Sequence, residues 1–219
     1  MRAAIQKIGA EPLQSGVDYQ FTEAKFWVDR ANPIPWQLPS EIISLNAAAA
    51  VAALLQAGIR VDESGFSKAT QALQLRGRRE HIRIGDVSAV LDVAHNVDAA
   101  VELHRFIAEL PPVNETIAVF AVMSDKNSRD MIAALESDID FWCLPRGIGG
   151  ERGEKAEKLA EHLGGNSAVF QDFEEALQMA LGRLRGKGRI IIFGSFFTVA
   201  EGLRSLQTSQ ALEIGELSD

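Results

Sequence analysis

The chain has 219 residues, 47% of them hydrophobic, enough for one large domain, or one and a half, with a buried core. Its 22 basic and 30 acidic residues leave a formal charge of −8, a sign that disfavours non-specific binding to nucleic acid or anionic lipid. A single cysteine, Cys143, excludes an intramolecular disulfide and a thiolate metal cluster. No apolar run approaches the roughly 20 residues that span a bilayer, and Met1–Lys7 has no long apolar stretch of the secretory kind. These features predict a soluble, cytoplasmic protein.

In chain order, Tyr19–Phe21 and Lys25–Val28 read as short strands around a polar turn. The proline-studded segment from Ala31 to Trp36, with Pro39 beyond it, cannot be helix interior and reads as a connector. Ser40–Ala57, rich in Ala, Leu and Ile, predicts a buried helix, and Val61–Leu75 predicts a second one with Asp62 or Ser64 as cap. Arg76-Gly77-Arg78-Arg79 then marks a hinge, with 1–76 and 77–219 as separate domains. From there strands and helices alternate. His81–Ile84 and Ala89–Asp92 are strands joined at Gly85-Asp86, and Val97–Leu110 is helical. Thr116–Val122 reads as a buried strand, Ser128–Leu135 as a helix, Asp140–Leu144 as a strand holding Cys143, and Glu151–Leu163 as a helix. Ala168–Phe170, Phe173–Leu184, Arg189–Phe193 and Phe196 to about Leu206 continue the alternation, and 208–219 reads as a mobile acidic tail. The fold class is α/β, Rossmann-like, with a mainly parallel sheet covered by helices on both faces.

In such sheets ligands sit at the carboxyl ends of strands, where strand order reverses. The polar residues just after each strand are therefore the candidates: Asp92, His95 and Asn96; then Ser124, Asp125 and Lys126; then Arg146 and Arg152; then Gly194-Ser195. Each has a plainer alternative. Asp92 could cap the following helix, His95 and Asn96 could be turn and cap residues, and Asp125-Lys126 could be a solvated pair. Gly194-Ser195 could be the punctuation of a sharp strand-to-helix bend. An aspartate accepting ribose hydroxyls, a histidine beside phosphate and a hydroxyl at a helix N-terminus would together suit a nucleotide and a carboxylate.

Leu91-Asp92-Val93-Ala94-His95-Asn96, followed by Ala99-Ala100, resembles the Asp-x-Ala-His-Asn signature of folylpolyglutamate and dihydrofolate synthases, members of the Mur ligase superfamily. Leu45-Asn46-Ala47-Ala48 resembles that family's Asn-Ala-Ala helix, and Gly77-Arg78 stands where the family has a Gly-Arg hinge. Ser124-Asp125-Lys126, Arg152-Gly153 and Gly194-Ser195-Phe196-Phe197-Thr198-Val199 resemble its Asp-Lys, Arg-Gly and closing Gly-Ser-Phe-His-Thr-Val elements, in the same order. The resemblance implies an ATP-dependent ligase that activates a carboxylate as an acyl phosphate and joins it to the amine of L-glutamate, with dihydropteroate or folate as the other substrate and Mg2+ accompanying ATP. It also implies that Asn46 meets adenine, that Arg78 reaches the sugar or phosphates, that Asp92 accepts the ribose hydroxyls and that His95 stands near the phosphates, possible catalytic work included. Ser195, with Asp125 and Lys126, would receive glutamate.

Phe197 stands where many relatives have histidine, Val97 replaces a proline, and Arg79-Glu80 replaces an aromatic-Gln pair. The Gly-rich loop ending Gly-Lys-Ser or Gly-Lys-Thr that cradles ATP phosphates is not in this sequence; Gly149–Lys155 lacks both that ending and its spacing. The resemblance thus implies that 1–76 is the remnant of a central ATP-binding domain and that the chain is inactive alone for want of a partner phosphate-binding domain. A free-standing degenerate nucleotide- or glutamate-binding module, or a fragment of another Mur-type amino-acid ligase, are the competing readings.

Overall fold

A computed structural model describes residue 9 and residues 11–39, 42–73 and 75–208. The N-terminal Met1–Lys7 segment and the part of the predicted tail beyond residue 208 lie outside the described residues, as do residues 40 and 41 of the first predicted helix. Among the described residues no helix is long and apolar enough to cross a membrane. The chain divides between Leu75 and Arg76 into two compact units.

In the first unit β1 (Gln20–Thr22), β2 (Lys25–Trp27) and β3 (Ile34–Pro35) form a small antiparallel sheet. The third of these falls in the segment read as a connector. Proline is admissible there because β3 is an edge strand, where its missing N–H breaks no ladder bond. Four aromatic side chains make the core: Tyr19 on Phe26 at 5.7 Å between centroids, Phe26 on Trp36 at 5.9 Å, and Trp36 on Phe66 at 5.4 Å. The Trp36 indole N–H donates to the Thr22 carbonyl at 2.9 Å, so the buried ring leaves no polar atom unpaired. Helix α1 (Ser44–Gln56) covers this core with Ala47, Ala48, Val51 and Ala52, while Leu45 and Leu54 are exposed; it is buried on one face and not throughout. Helix α2 (Glu63–Gln71) is shorter than predicted and is capped by Asp62, whose carboxylate accepts the Gly65 N–H at 2.8 Å.

The second unit is one six-stranded sheet with helices on both faces. Its strands are β4 (Glu80–Ile84), β5 (Val87–Asp92), β6 (Thr116–Phe120), β7 (Phe141–Pro145), β8 (Ser167–Phe170) and β9 (Arg189–Phe193), in the order β4-β5-β9-β6-β7-β8. Only the edge hairpin β4–β5 is antiparallel; every other pairing is parallel. Strand β9 is one of the two central strands and is buried at every position, which is why Ile190-Ile191-Ile192-Phe193 is continuously apolar. Alternation assigns the faces. Leu91, Val119, Ile190 and Ile192 pack under α6 (Phe173–Leu184) and Val199 of α7 (Phe196–Thr208). Val90, Phe120, Trp142, Ile191 and Phe193 pack under α3 (Val97–Glu109), α4 (Ser128–Leu135) and α5 (Ala156–Leu163). Cys143 is a fully buried strand residue, its thiol pushed up to about 12 chiefly by burial and therefore inert.

A further predicted element is corrected. Residues 151–163 are not a single helix: a short 3-10 turn, Gly150–Arg152, precedes α5, which begins only at Ala156. Between them the backbone pairs with the loop after β6, the Glu154 N–H donating to the Val122 carbonyl at 2.8 Å and the Ser124 N–H to the Arg152 carbonyl at 2.9 Å. These bonds hold the segment extended against its local helical preference.

The topology sets where a ligand can bind. From β5 the chain steps across to β6 and runs outward to β8, with its helices on one face; α6 then returns on the other face and inserts β9 between β5 and β6. Strand order reverses there, so the carboxyl ends of β5, β9 and β6 border the crevice such folds use.

Candidate functional site

Asp92, Phe193 and Phe120 are in register across β5, β9 and β6, so the segments after these strands leave the sheet at one level. Asp92 is 7% exposed, and both its oxygens are engaged: Oδ1 accepts the Ala94 N–H at 2.7 Å, Oδ2 the Arg79 N–H at 2.9 Å. Burial raises its carboxyl above the ordinary value, opposed by those two amide bonds and by the charges of Arg79 and Arg78. Each oxygen keeps a further lone pair.

Asp92 thereby holds the segment entering the unit. Arg79 has a left-handed backbone at φ 48°, a conformation that costs a non-glycine residue about 1 kcal/mol or more. Its N–H bond to Asp92 fixes that turn. Beside it the Val93 N–H donates to the Gly77 carbonyl at 2.8 Å and the Gly77 N–H to Glu80 Oε2 at 2.6 Å. Gly77 has φ 66°, and a Cβ there would meet Val199 Cγ1 at 2.7 Å, so only glycine fits between β5 and α7. The Arg79 guanidinium bonds Glu102 at 3.3 Å and lies over Phe106.

His95 follows on the loop to α3, and Asn96 caps that helix through the Ala99 N–H at 2.8 Å. His95 Nδ1 lies 2.9 Å from the Val93 carbonyl, which can only accept, so Nδ1 carries the proton and Nε2 is the open position. The His95 ring is 6.1 Å from that of Phe196, and the Arg78 guanidinium carbon stands 5.7 Å over the same ring. Among the described residues nothing hydrogen-bonds or ion-pairs with Arg78; its other interaction is long-range attraction to Asp92.

Ser195 is 3% exposed and caps α7, its Oγ accepting the Thr198 N–H at 3.1 Å. The Thr198 hydroxyl donates to the Ala121 carbonyl at 2.6 Å, so in the 2.7 Å contact between the two hydroxyls Ser195 is the donor. One chain of hydrogen bonds thus ties α7 to the end of β6. Gly194, at φ 115°, makes this possible, since a Cβ would sit 2.4 Å from the Ala121 oxygen.

At the ends of β6 and β7 the groups are exposed, apart from the half-buried Lys126. Lys126 Nζ bonds Asp125 Oδ2 at 3.0 Å, and that bond holds the solvated Asp125 carboxyl below its ordinary value. Arg152 is exposed and acts on Asp125 through charge alone. Arg146 is committed to Glu157 at 2.6 Å and to Gln171 at 3.1 Å. Asn46 lies in the first unit, exposed in the first turn of α1. The second unit therefore brings Arg78, Asp92, His95 and Ser195 to one edge, with Asp125 and Lys126 after the adjoining β6. Among the described residues no three His, Cys, Asp or Glu side chains converge as a group able to hold a metal ion.

Residues 77–196 match the family described as Mur ligase, glutamate ligase domain. The chain belongs to that family. The chain is 32% identical over 199 residues to the Escherichia coli (strain K12) dihydrofolate synthase/folylpolyglutamate synthase, covering 89% of this chain and 46% of that protein. It superposes on E. coli FolC in complex with DHPP and ADP with a TM-score of 0.78 and 30% identity, over 94% of this chain and 50% of that one. On the bifunctional folylpolyglutamate synthase/dihydrofolate synthase with Mn, AMPPNP and L-glutamate bound, the TM-score is 0.81 at 28% identity, with 94% and 50% covered. The chain spans about half the length of the relatives it matches.

Sequence reasoning assigned no role to Phe196, Thr198 or Arg79. For the first two a signal was present. From Ser195 the spacing i, i+3, i+4, i+7 falls on Ser195, Thr198, Val199 and Gly202, all buried, which leaves Phe196 and Phe197 off the buried face and demands a reason for two exposed aromatics. For Arg79 none was: its left-handed backbone is imposed by Asp92, thirteen residues away in sequence.

Proposed function

We propose that this chain supplies the nucleotide-sugar and glutamate side of an ATP-dependent, cytoplasmic ligase that joins L-glutamate to dihydropteroate or a folate. The observation that carries the reading is the grouping of Arg78, Asp92 and His95 at the strand-order reversal of a domain in this family. In the proposed reaction a substrate carboxylate oxygen attacks the γ-phosphorus of ATP and ADP leaves. The amine of glutamate then attacks the acyl carbon, phosphate departs, and the amine loses a proton. Asp92 receives ribose hydroxyls on its spare lone pairs, Arg78 meets phosphate, and His95 presents Nε2 toward the same charge. Glutamate lies at the N-terminus of α7 below Ser195, whose hydroxyl is spent on the cap, with Lys126 and Asp125 beside it. Asn46 takes the adenine, and the first unit is the tail of a central ATP-binding domain.

The 219 residues contain no Gly-Lys-Ser or Gly-Lys-Thr phosphate loop, and among the described residues no three His, Cys, Asp or Glu side chains gather as a metal site. By themselves they are therefore proposed to bind and not to ligate. Calorimetric titration tests this: ADP binds the chain at roughly millimolar Kd, and Asp92→Ala abolishes it. No ADP binding would sink the nucleotide assignment; ATP-dependent ligation by the purified chain would sink the half-site reading.

A further inference from the structure

We propose that Phe196 is a positioning residue whose ring holds the Arg78 guanidinium and the His95 imidazole at the site while leaving their hydrogen-bonding groups open to an anionic ligand. The inference rests on the nucleotide reading above and names a residue that reading does not use. Phe196 is 60% exposed, yet its ring is the shared neighbour of both groups, at 5.7 Å from the Arg78 guanidinium carbon and 6.1 Å from the His95 ring. The Arg78 separation lies within the ~6 Å over which a ring face attracts a cation, and the tilted His95–Phe196 pair lies at an ordinary aromatic contact distance.

The adjacent arginine shows the alternative. Arg79 is tied by a carboxylate, Glu102, which takes up donors and cancels charge. Arg78 has the ring and no carboxylate partner among the described residues, so its five N–H donors and its full charge stay available. A ring face restrains a guanidinium without occupying its edge, and the edge is what grips a phosphate in two-pronged fashion. His95 is treated in the same way: Nδ1 is fixed by the Val93 carbonyl, one side of the ring is near Phe196, and Nε2 is left open. The position of Phe196 is set from below. Gly194 and Ser195 fix the first turn of α7, and Thr198 locks it to the Ala121 carbonyl. Phe197, 53% exposed in the same turn, makes no ring or cation contact among the described residues and is an internal control.

The test uses the 219-residue chain and the variants Phe196→Leu, Phe196→Tyr and Phe197→Leu. In nitrogen-edited NMR the Arg78 Nε–H signal carries a ring-current displacement that Phe196→Leu abolishes, that Phe196→Tyr restores and that Phe197→Leu leaves alone. In titrations Phe196→Leu weakens ADP about tenfold and adenosine by less than about twofold, because only the phosphates meet Arg78 and His95. An Arg78 signal unmoved by Phe196→Leu, or equal losses for ADP and adenosine, would overturn the positioning role. Failure of ADP to bind the wild type would instead overturn the nucleotide reading, and with it the purpose given to the ring, while the Arg78 signal still decides whether the ring holds the cation.

Discussion

At the ends of β5 and β9 Asp92 and Ser195 are buried and tied into the fold, and after β6 and β7 Asp125 and Arg152 face water. Asp92 and Ser195 are 7% and 3% exposed, and each hydrogen-bonds within its own unit. Asp125, Lys126 and Arg152 share the same sheet edge but hold one another only through a solvated pair and screened charge. The two sets were equally prominent as sequence motifs, and they do different work. The buried set builds the frame from which ligand-facing groups project; the exposed set contributes little to that frame. Substitutions in the first should register in stability and substitutions in the second in ligand binding alone.

The largest effect is expected from Gly194→Ala. Its Cβ would press on the Ala121 oxygen at 2.4 Å and on Phe120 at 2.8 Å, in a backbone at φ 115° that side chains avoid. Strain and overpacking together should cost about 3 kcal/mol or more, read as a lower urea midpoint or loss of folding. An Ala variant of wild-type stability would break the assignment of Gly194 to the frame. Next is Thr198→Val, which removes the donor to the buried Ala121 carbonyl and the acceptor of the Ser195 hydroxyl. A loss of about 2 kcal/mol is expected, mostly recovered by Thr198→Ser.

Asp92→Asn comes third, at about 1 kcal/mol near neutrality, because relief of a buried charge offsets part of the lost bond to the Arg79 N–H. Its sharper signature is pH dependence. The folded-state carboxyl of Asp92 is raised above its ordinary 3.8, so on acidification the folded state binds a proton before the unfolded state does. Stability from this group therefore falls as pH rises from 3.8 through the raised value. The wild type should lose stability relative to Asp92→Asn across that window, and parallel pH profiles would contradict the buried, desolvated state of the carboxylate. Smallest is Asp125→Asn, expected to leave the midpoint of chemical denaturation where it is in the wild type, because a solvated pair is screened by water and salt. A shifted midpoint would show that the exposed set belongs to the frame after all.

Much of this was legible in the chain. The β-branched runs at Thr116–Phe120 and Arg189–Phe193 are strands because a central parallel strand is buried on both faces and must be apolar throughout. Asp62 and Asn96 stand at helix starts because their short side chains reach a free N–H two or three residues on. The helix predicted from Glu151 failed because nothing local announces that Val122 and Ser124 will pair with that segment. Nor did the motif Asp92-Val93-Ala94-His95 reveal that Asp92 would be enclosed while His95 Nε2 stayed open.

The sequence by itself determined most of the strands and helices of the second unit, the caps Asp62 and Asn96, the glycines at Gly77 and Gly194 and the family to which the domain belongs. Periodicity, capping and backbone sterics act over a few residues, and a single chain displays them directly. The tertiary structure alone decided that β9 enters between β5 and β6, that Thr198 reaches Ala121 across 77 residues of chain, and that Asp92 forces Arg79 into a left-handed turn. Those outcomes depend on which distant segments exclude water from one another, and burial is a property of the assembled packing that no local pattern contains.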